Sequence, residues 1–204
     1  GRTRKVGINL SLCLNRGVKE GKILVRIPAS VHVLTHKNIR VFTGDITDKT
    51  SVKAAMLGCR QVYHTAATVG VWAKDPAVFY DVNVGGTRNI LDVALETRIE
   101  KSVFTSTCGV IGPSLNEPMS EYDPRIIGFG LDYELSKKMG EDLIFQYARE
   151  GINAVVVYPS KVYGPGNVSH SLTANAFIAK FLKKQIFFIP SQGTYKACFA
   201  FIVD

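Results

Sequence analysis

Short apolar runs alternate along the chain with longer segments whose apolar residues recur at helical spacing. The short runs predict β-strands at 21–26, 39–43, 61–64, 101–105, 153–157 and 185–190. The longer segments predict helices at 8–17, 50–58, 76–98, 133–150 and 172–182. Because strands and helices alternate, the pattern predicts an α/β fold built on a doubly wound parallel sheet with right-handed crossovers.

Residue types at the boundaries of these elements support the assignment. Thr47 or Asp48 can cap the helix 50–58, because either offers a side-chain oxygen to its unpaired amides. The segment 76–98 reads as one helix despite two internal glycines. Residues 113–132 are rich in Pro, Gly and Asp and predict an ordered loop.

Length and composition restrict the class of protein. The chain has 204 residues, of which 46% are hydrophobic, enough to bury the core of one domain. No apolar run approaches the roughly 18 residues of a membrane span, and no signal-peptide pattern opens the chain. The four cysteines form no CxxC pair, which argues against a metal site and for reduced thiols in the cytoplasm.

The net charge of +8 raises the question of an anionic partner. The basic residues are scattered, apart from short pairs such as Lys137–Lys138 and Lys183–Lys184. The sequence has no RNA-binding fingerprint and no aromatic-rich basic strand. We therefore expect neither a nucleic acid nor a membrane as partner, and a phosphate-bearing small molecule stays a candidate ligand.

Tyr133 and Lys137 open the helix 133–150 and project from the same face, since they are four residues apart. An ammonium beside a phenol favours the phenolate. Bringing a phenol pKa of ~10 to neutrality takes about three units, or roughly 4 kcal/mol. The pair could then serve as a general acid/base on a carbonyl or an alcohol. Taken alone, the same spacing is also typical of a lysine lying over an aromatic ring.

A ligand of an open parallel sheet lies along the carboxyl ends of its strands. The first helix is preceded by Gly1, Arg4 and Gly7, which have the spacing of a glycine-rich loop. Backbone amides of such a loop could approach a pyrophosphate. The alternative is an irregular basic terminus with no ligand. Arg26 ends the strand 21–26 about 20 residues further on, where a dinucleotide-binding unit meets the adenosine ribose. An arginine suits a 2′-phosphate, which favours NADP over NAD, although it could simply be a solvated strand end.

Other strand ends carry small or polar residues. Alanines follow the third strand, and hydroxyl groups follow the fourth, where a turn would use them equally well. The residues concerned are Asp45, Ala66, Ala67, Ser106, Thr107 and Pro159. His64 reads as structural, because it stands alone at a strand end, and Asn83 as bonded to backbone.

Six motifs in this order resemble the extended or atypical short-chain dehydrogenases/reductases, of the NAD(P)-dependent epimerase/dehydratase type. They read GDITD (44–48), HTAA (64–67), NVGGT (83–87), TSTCGVIG (105–112), YELSK (133–137) and PSKVYGPG (159–166). The stretch WAKDP (72–76) resembles the dihydroflavonol-reductase-like branch. The resemblance implies a Rossmann-type domain over 1–204, with 164–204 contributing the start of a substrate-binding part.

The resemblance also implies roles for individual residues. Tyr133 would be the acid/base, Lys137 would bind the nicotinamide ribose and lower the pKa of Tyr133, and Thr107 would bond the substrate oxygen. The resemblance implies cofactor contacts along the whole dinucleotide. Asp45 and Ile46 would contact the adenine. The middle of the dinucleotide would lie against Ala66 and Ala67, and the nicotinamide against Pro159 and Val162.

The chain departs from the family pattern in three places. Arg4 replaces a glycine, no strand precedes Gly1, and the chain ends before most of the expected substrate-binding lobe. We therefore expect a fragment of a longer protein that binds cofactor poorly alone.

The function that we expect is an NAD(P)-dependent oxidoreductase, or a sugar-nucleotide epimerase/dehydratase. It would act on a small-molecule carbonyl, alcohol or nucleotide-sugar, and a homodimer is a candidate assembly. The alternative is a catalytically silent dinucleotide-binding scaffold or sensor on the same fold.

Overall fold

The computed structural model of the protein describes residues 20–26, 38–115, 117–164, 173–185 and 196–202. Its strands are β1 (Gly21–Val25), β2 (Ile39–Thr43), β3 (Gln61–His64), β4 (Lys101–Thr105), β5 (Ala154–Val157), β6 (Lys161–Tyr163) and β7 (Phe199–Phe201). Its helices are α1 (Lys49–Met56), α2 (Ala77–Tyr80), α3 (Gly86–Glu96), α4 (Cys108–Ile111), α5 (Asp132–Arg149) and α6 (Thr173–Leu182), with a π-helical turn at Asp81–Gly85.

The main predicted elements are confirmed within the described residues. Asp48 caps α1 by accepting hydrogen bonds from the amides of Thr50 and Ser51. The sequence pattern missed the short elements α4, β6 and β7. The predicted helix 8–17 and nearly all of the predicted strand 185–190 lie outside the described residues.

All described strand pairs are parallel. β1 pairs with β2, β4 lies between β3 and β5, and β6 pairs with β7. The carboxyl ends of paired parallel strands meet at one edge. The residues that follow β3, β4 and β5 therefore come together at one edge, as the alternating pattern predicts.

Side chains along the three-stranded sheet alternate between two faces. One face packs against α1, α3 and α5, and Phe104 at its centre is 1% exposed. The buried core under these helices comprises Val52, Met56, Ile90, Leu91, Val93, Ala94, Phe104, Ile144, Tyr147 and Ile152. The other face carries the side chains of Tyr63, Val155 and Val157, which the described residues leave exposed.

Glycines allow two helices to pack closely against neighbouring segments. A Cβ on Gly140 of α5 would lie 2.7 Å from the carbonyl oxygen of Asn83 in the π turn. A Cβ on Gly86 of α3 would lie 2.6 Å from the side chain of Ile46. The first approach holds α5 close to the π turn.

Within the described part of the chain, no helix is both long enough and apolar enough to span a membrane.

Candidate active site

Lys137 lies where the amino-terminal half of α5 packs on the carboxyl end of β4. Its side chain is buried, and Nζ donates a hydrogen bond to the carbonyl oxygen of Thr105 at 2.9 Å. Burial lowers the pKa of Lys137 from 10.5 to about 8, while the nearby carboxylate of Glu141 opposes this shift. A positive charge is thus held at the carboxyl edge of the sheet, which is where open parallel sheets generally bind ligands.

Tyr133 lies one helical turn before Lys137 and is partly buried. Its carbonyl oxygen accepts a hydrogen bond from Oγ of Ser136 at 3.0 Å, and that Oγ accepts one from Nδ2 of Asn83 at 3.0 Å. Asn83 also bonds both backbone groups of Thr68, at 2.9 and 3.0 Å. As expected, Asn83 bonds backbone, and it fixes the first turn of α5 to the chain that follows β3.

Thr107 lies in the turn between β4 and α4. Its Oγ1 caps α4 by accepting a hydrogen bond from the amide of Gly109 at 3.2 Å. The next amide, of Cys108, donates to the carbonyl oxygen of Pro159 at 3.3 Å. The structure therefore brings Thr107 and Pro159 together after neighbouring strands, and Val162 follows in β6.

Arg26 and Asp45 come together after the adjacent strands β1 and β2. Nε of Arg26 lies 3.7 Å from Oδ2 of Asp45, and the arginine side chain is 71% exposed. The other carboxylate oxygen of Asp45 accepts a hydrogen bond from the amide of Thr47 at 3.0 Å. The side chain of Ile46 instead packs against Gly86, and its carbonyl oxygen accepts a hydrogen bond from Nδ2 of Asn89 at 2.9 Å.

The two alanines after β3 leave space at the same edge, since Ala66 is exposed and Ala67 is partly buried. Gly1, Arg4 and Gly7 lie outside the described residues.

His64 is buried at the end of β3. Its Nε2 lies 3.4 Å from the hydroxyl of Thr87, and its ring packs edge-on against Phe104. Burial lowers the pKa of His64 to about 3, and the charge of Lys137 acts in the same direction. The imidazole is therefore neutral near pH 7, as suits the structural reading.

Sequence reasoning missed a buried carboxylate next to Lys137. Glu141, one turn further along α5, accepts a hydrogen bond from Oγ of Ser106 at 3.0 Å. Burial raises the pKa of Glu141, and burial together with the Glu141 carboxylate raises the pKa of the hydroxyl of Tyr158. The spacing of four from Lys137 is a signal that could have found it. Ser106 thus directs its hydroxyl into the interior, whereas its neighbour Thr107 is only partly buried.

Residues from β3, β4, α3 and α5 line a small cavity of about 10 Å³, enough for roughly one water molecule. The lining includes His64, Thr87, Ser106, Lys137 and Glu141. Among the described residues, no group of three or more His, Cys, Asp or Glu is arranged to hold a metal ion.

The sequence of this chain matches that of a known protein family. The model of the NAD dependent epimerase/dehydratase family matches residues 9–204. A putative dihydroflavonol 4-reductase from Synechocystis is 32% identical over 191 residues, which is 91% of this chain and 54% of that protein. A 3 beta-hydroxysteroid dehydrogenase type 7 from Mus musculus is 31% identical over 140 residues, or 63% of this chain and 38% of that protein.

A solved structure shares the fold. The UDP-glucose 4-epimerase of Thermus thermophilus, in complex with NAD, matches with a TM-score of 0.83 and 24% identity. The match covers 97% of this chain and 68% of that one. The chain spans about half the length of the curated relatives from Methylococcus capsulatus and Synechocystis that it matches, with 55% and 54% covered.

Proposed function

Because the chain belongs to the NAD dependent epimerase/dehydratase family, we propose that the whole protein is an NAD(P)-dependent oxidoreductase of the short-chain dehydrogenase/reductase type. It interconverts a carbonyl and an alcohol, either as a net reaction or as a step of epimerisation or dehydration. The observation that carries this proposal is the buried ammonium of Lys137 at the carboxyl end of β4, one turn after Tyr133.

The residues at this edge of the sheet fit a nicotinamide dinucleotide. Cationic and small side chains follow successive parallel strands, which suits a long, flat, anionic ligand. The adenosine end would be held by Arg26, Asp45 and the backbone amide of Ile46, the middle by Ala66 and Ala67, and the nicotinamide end by Lys137, Pro159 and Val162. When bound, the nicotinamide supplies or accepts the hydride.

The proton is handled by side chains of this chain. Tyr133 gives its phenolic proton to the substrate oxygen during reduction and takes it back during oxidation. The ammonium of Lys137 stabilises the phenolate that this exchange creates, and burial strengthens the interaction because water screens it less. Thr107 bonds the same substrate oxygen and so orients the reacting carbon.

The names of relatives guide the choice of substrates to test. The matched proteins include a hydroxysteroid dehydrogenase and a UDP-glucose 4-epimerase. We propose a hydroxylated small molecule or a nucleotide-sugar as substrate, in a protein that forms homodimers.

The test replaces Tyr133 in the full-length protein. Wild type and Tyr133→Phe are incubated with a 3β-hydroxysteroid or UDP-glucose, in the presence of NAD or NADP, and products are separated by chromatography. We expect kcat to fall about 10²–10⁴-fold while the dinucleotide dissociation constant, measured by calorimetry, is retained. Tyr122→Phe is the matched control, because Tyr122 is 89% exposed.

Unchanged turnover in Tyr133→Phe would exclude this tyrosine as the acid. A wild type that binds dinucleotide but converts no substrate would favour the silent scaffold or sensor.

The same calorimetry tests the cofactor preference. We propose NADP, because Arg26 offers an exposed guanidinium at the adenosine end. Asp45 competes for that guanidinium, so a clear preference for NADH over NADPH would overturn this part of the proposal.

A further inference from the structure

Arg125 lies in the loop between α4 and α5, and its side chain is 13% exposed. A guanidinium has five N–H donors, and each finds an acceptor here. Nε donates to the carbonyl of Ile127 (2.8 Å), Nη1 to those of Gly109 (2.5 Å) and Val110 (3.2 Å), and Nη2 to that of Gly128 (3.3 Å) and to Oε2 of Glu134 (2.9 Å).

These acceptors come from both sides of the candidate active site. Gly109 is two residues after Thr107, in the short helix that Thr107 caps, and Glu134 directly follows Tyr133. Arg125 is therefore a link between the turn that carries Thr107 and the helix turn that carries Tyr133.

Close packing leaves this link little freedom. A Cβ on Gly109 would lie 3.4 Å from Oε1 of Glu134, and one on Gly112, at φ +100°, would lie 3.2 Å from Nη1 of Arg125. The ring of Phe129 covers the guanidinium, with its centroid 4.1 Å from Cζ. A shielded, fully bonded arginine holds its partners more firmly than an exposed ion pair does.

We propose that Arg125 is a positioning residue that sets the hydroxyls of Thr107 and Tyr133 against the same substrate oxygen. The inference rests on the proposed function, because it gives Arg125 a part in that reaction. Misplacing a reacting group by about 1 Å can cost about 10²-fold in rate, so one link between the two segments has a measurable effect.

The test compares three variants of the full-length protein on whichever compound the wild type converts. Arg125→Ala should lower kcat about 10–100-fold, with KM and the dinucleotide dissociation constant within about twofold of wild type. The kcat of Arg125→Lys should lie between those of wild type and Arg125→Ala, because lysine keeps the charge but lacks the planar guanidinium. Arg60→Ala is the control, since Arg60 pairs with Glu100 in the open, with its side chain 80% exposed.

A double-mutant cycle separates positioning from general structure. If Arg125 acts through Tyr133, replacing it in the Tyr133→Phe protein should cost much less than in wild type. Equal losses in both backgrounds, or a kcat of Arg125→Ala within about twofold of wild type, would overturn the proposal.

Amide hydrogen exchange measures, without any substrate, whether Arg125 holds the two segments in place. Amides at 108–111 and 132–136 should exchange faster in Arg125→Ala and at the wild-type rate in Arg60→Ala. Unchanged exchange would overturn the inference even if no compound were converted. Failure of the proposed function would show instead in the comparison of wild type with Tyr133→Phe.

Discussion

The two halves of α5 bury opposite kinds of side chain. The amino-terminal half, together with the adjoining Glu141, buries the polar side chains of Ser136, Lys137 and Glu141, each hydrogen-bonded to a strand end or a neighbouring turn. The carboxyl-terminal half buries Ile144 and Tyr147 in the apolar core. Burying apolar surface is favourable, whereas removing an ammonium from water is costly. One helix therefore joins a half whose burial is stabilising to a half whose burial is costly.

The largest effect on stability is expected in the apolar half. Ile144→Ala should lower the free energy of unfolding by about 2–5 kcal/mol, through lost burial and the cavity left behind. Ile144→Val is the matched control, at about 0.5–1.5 kcal/mol. Urea unfolding of the full-length protein measures both. Turnover per folded molecule should be retained, and a parallel loss of kcat would show that the two halves are not separable.

An opposite result is expected in the polar half. Lys137→Met should raise the free energy of unfolding at pH 7 by about 2 kcal/mol, because a buried ammonium is replaced by an apolar chain of similar length. Turnover should be lost in the same variant. Urea unfolding and the chromatographic assay measure the two effects. A destabilised Lys137→Met protein would mean that the bond to Thr105 outweighs the cost of desolvation.

The pH dependence of stability isolates this lysine. The folded chain releases the proton of Lys137 near pH 8, because its pKa is lowered to about 8, whereas the unfolded chain keeps it to about 10.5. Between these values the unfolded state binds more protons, so the contribution of Lys137 to stability rises with pH. The measurement is the free energy of unfolding of wild type and of Lys137→Met at a series of pH values between 8 and 10.5. If the two free energies changed with pH in parallel, the lowered pKa would be contradicted.

The smallest effects distinguish two buried serines. Ser136 bonds Tyr133 and Asn83, whereas the hydroxyl of Ser102 in β4 has no hydrogen-bond partner among the described residues. Ser136→Ala should lower the free energy of unfolding by about 1–2 kcal/mol, because it leaves the side-chain amide of Asn83 short of an acceptor. Ser102→Ala should raise the free energy of unfolding by about 0.5–1 kcal/mol. Thermal unfolding of the pair measures the contrast, and equal shifts would remove it.

The sequence predicted the parts of this site that depend on spacing. Tyr133 and Lys137 fall on one helix, and Thr107 and Pro159 follow neighbouring strands, because apolar periodicity locates the elements and parallel pairing aligns their ends. Family resemblance added roles to these positions, and those roles stay predictions until the variants are measured.

Other parts of the site had no pattern to reveal them. Four of the five acceptors of Arg125 are backbone carbonyls, which every residue has, so no residue type identifies them. The bond from Ser106 to Glu141 joins residues 35 apart and depends on how α5 settles on β4. The sequence pattern also gave one continuous helix over 76–98, where the structure has a π turn at Asp81–Gly85.

That π turn has a consequence for insertions and deletions. Each residue of an α-helix advances about 100° around the axis, and a π turn accommodates one residue more than an α turn. Removing Val82 or Val84 should therefore convert the turn to regular α-helix while the following residues of α3 keep their orientation. Leu91 and Val93 would then stay in the core. A one-residue deletion inside α3 would instead turn every later residue by about 100°, so the π turn is the place in this segment where the loss of one residue should be tolerated best.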